Sequence, residues 1–252
     1  KENILAMPWL QPHFADAEGN CRISIHALVL ETPDRTIVVD TCLGNDKERA
    51  IGSWAHLQTK FLEDLAGAGY SIESIDTVLC THLHTDHVGW NTRLENGQWV
   101  PTFPNAEYLF GKVEWEYTEA QRENPMYEEF VVDSIQPIID AGLVRFVDVD
   151  EKICNGISLV PTPGHTPGHV SVDIQSNGER AIITGDFLHH PCQMEEPYWE
   201  CSADWDTPLA QKTRVEQLEC YADEGLLVFG THFASPSAGR VVKKGKCFQF
   251  EV

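Results

Sequence analysis

The chain has 252 residues, of which 42% are hydrophobic, so it is long enough to bury a substantial core. Its formal net charge of −21 would repel phosphate backbones, and no run of Lys and Arg offers a local exception, so we expect no nucleic-acid partner. The longest apolar runs are strand-sized and fall far short of the roughly 20 residues that span a bilayer, so no membrane association is expected.

The cysteines and the N-terminus favour a cytoplasmic protein. The chain starts without a basic segment followed by an apolar stretch of the kind that directs secretion. Its eight cysteines are scattered with no C-x-x-C spacing, which predicts reduced, mostly buried thiols. Cys192 and Cys201 lie in one predicted loop, and whether they pair stays open.

The first third of the chain has a β-rich pattern. Apolar residues at 23–30 and 36–39 flank the turn-prone segment 32–35, which predicts a β-hairpin. Trp54, Leu57, Phe61 and Leu65 then recur at helical spacing before two glycines, which predicts a helix over this segment. A strand is expected at 76–80. Residues 90–115 have a loop-like, aromatic pattern, and a helix is expected to end near Gly142.

The second half repeats the alternation of strands and helices. Strands are expected at 143–147, 157–160, 170–174, 181–184 and 226–229. A helix before the last strand would be capped by Asp206 or Thr207, carry Pro208 in its first turn and end before Gly225. Because no flexible linker separates the halves, we expect one domain over residues 1–252, an α/β protein of αββα type.

The segment after the predicted 76–80 strand concentrates metal-binding side chains. His82, His84, Asp86 and His87 form the pattern H-x-H-x-D-H. In an extended segment His82 and His84 point to the same side, because side-chain direction repeats every two residues. A turn can then bring Asp86 and His87 to a second ion. The alternative is a polar loop of hydrogen-bonding groups, which we consider the weaker interpretation.

Three further predicted strands end in a metal-competent residue beside glycine. These residues are His165, Asp186 and His232. Each signal alone is weak, because a His or Asp at a strand end is more often a turn former. With the first motif they make seven candidate ligands, enough for two ions and a shared water. Imidazole and carboxylate without thiolate suit zinc, with manganese, iron or cobalt as substitutes.

The chain resembles the metallo-β-lactamase superfamily from about residue 38 to residue 232. The resemblance rests on four motifs in this order: H-x-H-x-D-H, T-P-G-H-T-P-G-H, G-D and G-T-H. The resemblance implies an αββα sandwich, with two mixed β-sheets flanked by helices. It also implies that His82, His84 and His165 bind one ion, that Asp86, His87 and His232 bind the other, and that Asp186 bridges them.

Departures from the subfamilies narrow the function. True β-lactamases of this fold lack the bridging aspartate that Asp186 supplies, so antibiotic hydrolysis is disfavoured. The full T-P-G-H-T-P-G-H segment resembles the branch of acyl-homoserine lactonases and methyl parathion hydrolase. Lactonases of that branch commonly carry a tyrosine three residues after the bridging aspartate. This chain has His189 there, as the organophosphate hydrolases do, so both substrate classes stay open.

Several residues are expected to support the site. Asp40, at a strand end, and His169, after the turn that His165 ends, are expected to orient metal ligands. His189, His190 and Trp90 are the candidate substrate contacts, with purely structural roles as the alternative. Aromatic residues are enriched at 90–117 and 198–205, which favours a small-molecule substrate with an apolar portion. The oligomeric state is not predicted.

The expected function is that of a dinuclear zinc hydrolase, in which a metal-bridging hydroxide attacks a lactone or related ester. Asp86, Asp186 and His189 are the expected catalytic residues. Phosphotriester, organophosphate or aryl ester hydrolysis is the alternative within this class. An iron-dependent oxidoreductase and a non-catalytic metal-binding protein are the alternatives outside it.

Overall fold

The computed structural model describes residues 1–252, which form two compact units. The middle unit comprises His26–Asp148, and the terminal unit comprises Lys1–Ile25 and Val149–Val252. That these residues form one domain stays a prediction. No helix of the chain has both the length and the apolar character needed to cross a membrane.

Fourteen strands form the sheets. They are β1 Leu28–Glu31, β2 Thr36–Val39, β3 Thr77–Leu79, β4 Thr92–Glu95, β5 Gln98–Pro101, β6 Glu107–Gly111, β7 Val144–Val147, β8 Lys152–Cys154, β9 Ile157–Pro161, β10 Val170–Ser176, β11 Glu179–Ile183, β12 Leu227–Phe229, β13 Ala238–Lys244 and β14 Cys247–Glu251.

The α-helices are α1 Glu2–Leu5, α2 Phe61–Gly67, α3 Thr85–Val88, α4 Lys112–Ala120, α5 Pro125–Phe130, α6 Gln136–Asp140, α7 Cys192–Glu195 and α8 Thr207–Glu224. A π-helical turn, Val131–Ile135, joins α5 to α6. Short 3₁₀ turns lie at Pro8–Leu10, Gly52–Trp54, Ile72–Ser74, Gly89–Asn91 and Gly185–Phe187.

The middle unit is built on a five-stranded sheet in the order β1-β2-β3-β6-β7. Strands β1 and β2 form the predicted hairpin, and β2, β3, β6 and β7 run parallel to one another. The carboxyl ends of β2 and β3 therefore meet at one edge of the sheet. Asp40 follows β2 and Thr81 follows β3 at this edge, where the Thr81 amide donates to Asp40 Oδ1 at 2.8 Å.

Two secondary-structure predictions for the middle unit are wrong: one helix begins later than expected, and one expected loop contains regular elements. The helix expected from Trp54 begins only at Phe61, because His56 has a φ of 51° that an α-helix does not accommodate. The segment 90–115 is not a loop, since it contains the β4–β5 hairpin, β6 and the start of α4. Asn96 and Gly97 both have positive φ at the hairpin turn. An Asn-Gly pair is a strong hairpin signal that the aromatic pattern obscured.

The core of the middle unit lies between its sheet and its helices. Inward residues of β2, β3 and β6 pack with residues from the π-helical turn and α6. The fully buried members include Val38, Val78, Tyr108, Phe110, Ile135 and Ile138. This packing fixes the carboxyl ends of β2 and β3, and with them the segments that carry the histidines.

The terminal unit is built on a seven-stranded sheet in the order β14-β13-β12-β11-β10-β9-β8. β11 and β12 are parallel, whereas β10 is antiparallel to both β9 and β11. Strands β9, β11 and β12 therefore end at the same edge, which is also where β10 begins. His165, Asp186 and His232 follow these three ends, so the topology collects them at one edge.

Helix α8 has the ends that the sequence predicts. The Asp206 side chain accepts a hydrogen bond from the Leu209 amide at 3.0 Å, Pro208 occupies the first turn, and Gly225 ends the helix in the left-handed conformation. The buried face of α8 includes Ala210, Leu218 and the fully buried Arg214. The β13–β14 hairpin, which follows His232, was not among the predicted elements.

Candidate metal centre

The middle unit contains a group of four side chains, His82, His84, Asp86 and His87, which we call the middle cluster. His84 is the extended residue before α3, so Asp86 and His87 lie in the first turn of that helix. The ring centroid of His82 is 4.6 Å from that of His84 and 4.1 Å from that of His87. His82 and His87 are each 1% exposed. The motif therefore folds into a compact group of side chains, in which His82 and His87 are buried and His84 and Asp86 are half-buried.

Asp40 orients two histidines of the middle cluster. Its Oδ2 accepts a hydrogen bond from His87 Nδ1 at 2.9 Å. The Thr81 hydroxyl donates to the same carboxylate, at 2.9 Å from Oδ2. Since that hydroxyl has only one proton, it accepts the hydrogen bond from His82 Nδ1, 3.1 Å away. One buried carboxylate thus selects the tautomer of both rings in which Nδ1 carries the proton. The unprotonated Nε2 of each ring is then the atom that can bind a metal ion.

In the terminal unit, three imidazoles converge on one carboxylate oxygen. The Nε2 atoms of His232, His189 and His165 lie 3.1, 3.3 and 3.6 Å from Asp186 Oδ2. We call these four residues the terminal cluster. Asp186 sits in the 3₁₀ turn that follows β11 and is 3% exposed. Such a concentration of basic nitrogens around a buried carboxylate is typical of a cation site.

The outer nitrogens of His165 and His232 are both fixed by hydrogen bonds. His165 Nδ1 donates to Asp204 Oδ1 at 3.0 Å, and His232 Nδ1 donates to the Ser24 carbonyl oxygen at 2.9 Å. This is the arrangement in which metal-binding histidines hold their second nitrogen against a carboxylate or a carbonyl. It directs the Nε2 atoms of both rings toward Asp186.

His169 holds the backbone of Asp186 through a defined chain of hydrogen bonds. Its Nε2 accepts from the Asp186 amide at 2.7 Å, so its Nδ1 donates to Thr162 Oγ1 at 2.8 Å. Thr162 contacts Ser171 Oγ, which in turn donates to the Thr184 carbonyl oxygen. Because Nε2 already accepts a hydrogen bond, His169 contacts the backbone of Asp186, and its role in orienting the metal ligands stays a prediction.

His189 lies within the terminal cluster. Its ring is parallel to that of His232, with centroids 5.9 Å apart, and meets His165 edge-on at 4.8 Å. Burial by itself would lower the pKa of His189, but the Asp186 carboxylate outweighs this effect and raises the pKa to about 10. Its Nδ1 is buried and has no hydrogen-bond partner in the protein. His189 thus has one ring nitrogen facing Asp186 and another without a protein partner.

The other two candidate substrate contacts lie in packed surroundings. His190 is 5% exposed; its Nε2 donates to the Phe14 carbonyl oxygen at 2.8 Å, and its Nδ1 accepts from the Cys192 amide at 3.1 Å. Trp90 is 5% exposed and stacks on Phe61 at 5.2 Å. Both contacts agree with the structural alternative weighed for these residues, and a role in substrate binding stays a prediction.

Sequence reasoning missed Asp204, whose side chain is 0% exposed. Its Oδ2 accepts from the Cys201 amide at 3.2 Å and lies 3.8 Å from Arg214 Nη2. Burial raises the pKa of Asp204. A signal was present in α8: Ala210, Arg214 and Leu218 recur every four residues, so the arginine falls on the buried face and needs a partner.

The donors of both clusters fit divalent metal ions. All seven candidate ligands are imidazoles or carboxylates, a set that suits zinc and related ions. In each cluster, buried acceptors select the ring tautomers that leave Nε2 for coordination. Imidazoles that carry the proton on Nδ1 and have an unprotonated Nε2 are expected where a metal cation, rather than a proton, lies between the Nε2 atoms.

Comparison with known proteins agrees with the motifs. The metallo-beta-lactamase superfamily matches residues 22–232. An N-acyl homoserine lactonase of a Bacillus species is 24% identical over 228 residues, which is 83% of this chain and 81% of that protein. An N-acyl homoserine lactonase of Bacillus cereus is 24% identical over 225 residues, with the same coverage of both chains.

Solved structures share the fold over nearly the whole chain. AidC, described as a dizinc quorum-quenching lactonase, superimposes with a TM-score of 0.80 at 24% identity, covering 99% of this chain and 84% of AidC. AbOPH, described as a hydrolase of the beta lactamase superfamily, superimposes with a TM-score of 0.81 at 27% identity, covering 98% and 84%. The expected α/β fold is thereby confirmed. The chain belongs to the metallo-beta-lactamase superfamily and is a hydrolase.

Proposed function

We propose that the chain is a dinuclear zinc hydrolase that opens lactones or related esters. The observation that carries the proposal is the convergence of three imidazole Nε2 atoms on Asp186 Oδ2 within 3.6 Å. The lactone substrate class is supported by the relatives named N-acyl homoserine lactonase, of which 81% of the length is matched. The cytoplasm remains the proposed compartment, and all eight cysteines are free thiols.

The proposed ligand assignment follows the order of motifs in the superfamily. His82, His84 and His165 would hold one ion; Asp86, His87 and His232 would hold the other; and Asp186 would serve both. Within each cluster, the orientation of the imidazoles supports this assignment. When bound, two divalent ions acidify a water molecule and polarise an ester carbonyl.

The chain's own residues would prepare and hold the reacting groups. Asp40 and Asp204 fix the tautomers of three histidines, so these rings need no reorganisation on binding. His169 fixes the backbone of Asp186, and thus the position of the shared carboxylate. His189 would donate a hydrogen bond from a ring N–H to the developing alkoxide. Overall, one lactone and one water yield a hydroxycarboxylate and a proton.

A second substrate class is favoured by one specific residue. His189 stands three residues after Asp186, where lactonases of this branch commonly carry a tyrosine and organophosphate hydrolases carry a histidine. An imidazole that donates a hydrogen bond serves a phosphoryl oxygen as well as an alkoxide. Phosphotriesters and aryl esters are therefore the alternative substrates for the same site.

The test measures proton release by the zinc-loaded protein on a long-chain γ-lactone. Asp186→Asn is the active-site variant, and Asp206→Asn is the matched control, because asparagine also caps helices. We expect turnover in the wild type and in Asp206→Asn, and a loss of at least about 100-fold in Asp186→Asn. Zinc content is measured on all three proteins.

Each other outcome has a defined meaning. If protein that retains two zinc ions releases no proton, the lactone is rejected as a substrate. A nitrophenyl phosphotriester is then the first substrate to test. Near-normal turnover in Asp186→Asn would overturn the shared-carboxylate role. Iron as the tightly bound metal, together with oxygen consumption, would instead favour an oxidoreductase, and two retained metals with no turnover on any ester would favour a non-catalytic metal-binding protein.

A further inference from the structure

Two thiols of the terminal unit, Cys21 and Cys192, lie in contact outside the candidate metal centre. Their sulfur atoms and one ring nitrogen of His190 are all within 4.8 Å of one another. Cys21 is exposed, whereas Cys192 is 6% exposed at the start of α7. Cys201, which lies in the same loop region as Cys192, is directed elsewhere, with its sulfur 3.6 Å from His189 Nε2. Cys192 therefore faces Cys21 and not Cys201.

Cys21 lies on a segment that holds two histidines of the terminal unit. We call residues 14–24 the N-terminal strap. At one end of the strap, the Phe14 carbonyl oxygen accepts from His190 Nε2. At the other end, Ser24 makes two hydrogen bonds with His232: its carbonyl oxygen accepts from Nδ1, and its amide donates to the His232 carbonyl oxygen. A bridge between Ala15 and Cys21 closes the strap on itself.

We propose that Cys21 and Cys192 form a reversible disulfide when the protein meets an oxidised low-molecular-weight thiol. The bond would fasten the N-terminal strap to the segment that follows the Asp186 turn. Because Ser24 of the strap orients His232, the disulfide would hold that imidazole in place.

The reaction balances with a small disulfide, RSSR, as the oxidant. The exposed Cys21 thiolate attacks RSSR, which forms a Cys21–S–S–R mixed disulfide and releases RS⁻. The sulfur of Cys192 then attacks the Cys21 sulfur, forms the internal bond and releases the second RS⁻; two protons pass to the released thiolates. Two protein thiols and one RSSR thus give one protein disulfide and two RSH.

A disulfide fits this group better than a metal ion does. Both nitrogens of His190 are already engaged, since Nε2 donates to Phe14 and Nδ1 accepts from the Cys192 amide. Burial raises the pKa of the Cys192 thiol to about 12, with a further contribution from Cys21 beside it. Thiols held in the protonated form are poor zinc ligands. A pair of thiols whose thiolate form is disfavoured is more stable as a disulfide than a pair whose thiolate is stabilised.

The experiment treats the zinc-loaded protein with glutathione disulfide at pH 8 and maps its peptides without reduction. Wild type is compared with Cys21→Ser and with Cys154→Ser, a control cysteine on β8. We expect loss of two hydrogen atoms in the intact mass, a cross-linked pair of peptides containing Cys21 and Cys192, and a rise in Tm of about 5 °C that dithiothreitol reverses. Cys154→Ser should behave as the wild type, and Cys21→Ser should show none of these three changes.

Three results would overturn the proposal. One is glutathione retained on Cys21 without a cross-link, and another is a cross-link between Cys192 and Cys201. The third is a further zinc ion that binds the wild type but not Cys21→Ser, which would make the group a metal site. None of these readouts requires turnover, so the outcome is independent of the proposed lactone hydrolysis.

Discussion

Asp204 Oδ1 lies 3.0 Å from His165 Nδ1, and both side chains are at most 1% exposed. Arg214 donates to the carbonyl oxygens of Phe187, Pro197 and Trp199, so the cation beside Asp204 is itself fixed by backbone groups. The buried Asp204 carboxylate thus links the candidate ligand His165 to Arg214 of helix α8. This relationship gives Asp204 a stronger hold on His165 than a mobile surface carboxylate could exert.

Asp204→Asn should weaken zinc binding by about 10- to 100-fold, because the amide no longer stabilises the Nδ1–H tautomer of His165. The measurement is competition with a chromophoric chelator. Asp206→Asn is the control, since it changes the same residue type two positions away while preserving the cap of α8. Equal affinities in both variants would show that Asp204 does not orient a ligand.

Asp40→Asn should have a larger effect than Asp204→Asn, because Asp40 fixes both His87 and, through Thr81, His82. Thr81→Val separates the two contributions, since it removes the link to His82 and leaves the bond to His87. We expect Thr81→Val to lose zinc affinity by roughly 10-fold and Asp40→Asn to lose more. If Thr81→Val equals Asp40→Asn, the bond to His87 contributes nothing.

His190 should make stability depend on pH in the weakly acidic range. Burial lowers the pKa of His190 below 6.5, and its Nδ1 accepts a hydrogen bond that protonation would break. Well above pH 6.5, the ordinary pKa of histidine, the ring is neutral in both the folded and the unfolded state, and its contribution to stability is complete. As the pH falls from 6.5 towards the folded-state pKa, the unfolded chain takes up a proton that the folded chain excludes, so the free energy of unfolding falls.

The check is urea unfolding between pH 5 and 7.5 for the wild type and His190→Gln. Glutamine keeps a donor for the Phe14 carbonyl oxygen but does not titrate, so the variant should lose less stability on acidification. Every other histidine is the same in both proteins, so the difference between them isolates the contribution of His190. Identical pH slopes would mean that His190 is not held neutral.

Asp133 should be a large contributor to the stability of the middle unit. Its carboxylate contacts Lys47 at 3.3 Å and Arg49 at 2.6 Å, and both cations are at most 1% exposed. Asp133→Asn would leave two buried cations without a counter-charge, which should lower the free energy of unfolding by about 3 kcal/mol or more. The exposed Asp140→Asn is the control and should change it by less than about 0.5 kcal/mol. Equal denaturation midpoints would contradict the prediction.

The sequence determined the local elements and the residue types of the candidate ligands. The hairpin between β1 and β2, the cap and glycine stop of α8, and the collection of His165, Asp186 and His232 at strand ends all depend on short-range patterns. The superfamily also follows from the order of the motifs, because that order reflects which strand ends carry the candidate ligands. The prediction of a loop at 90–115 was wrong, but this segment contains a short-range signal, the Asn-Gly turn, that indicates a hairpin.

Only the tertiary structure decided which groups orient the candidate ligands and which cysteines are in contact. Asp204 and His165 are 39 residues apart, and Ser24 and His232 are 208 residues apart. Cys192 contacts Cys21 of the N-terminal strap rather than Cys201 of its own loop. A periodic pattern specifies the face on which a side chain lies, but a hydrogen bond or a sulfur contact depends on ångström-scale positions that packing of the whole unit sets.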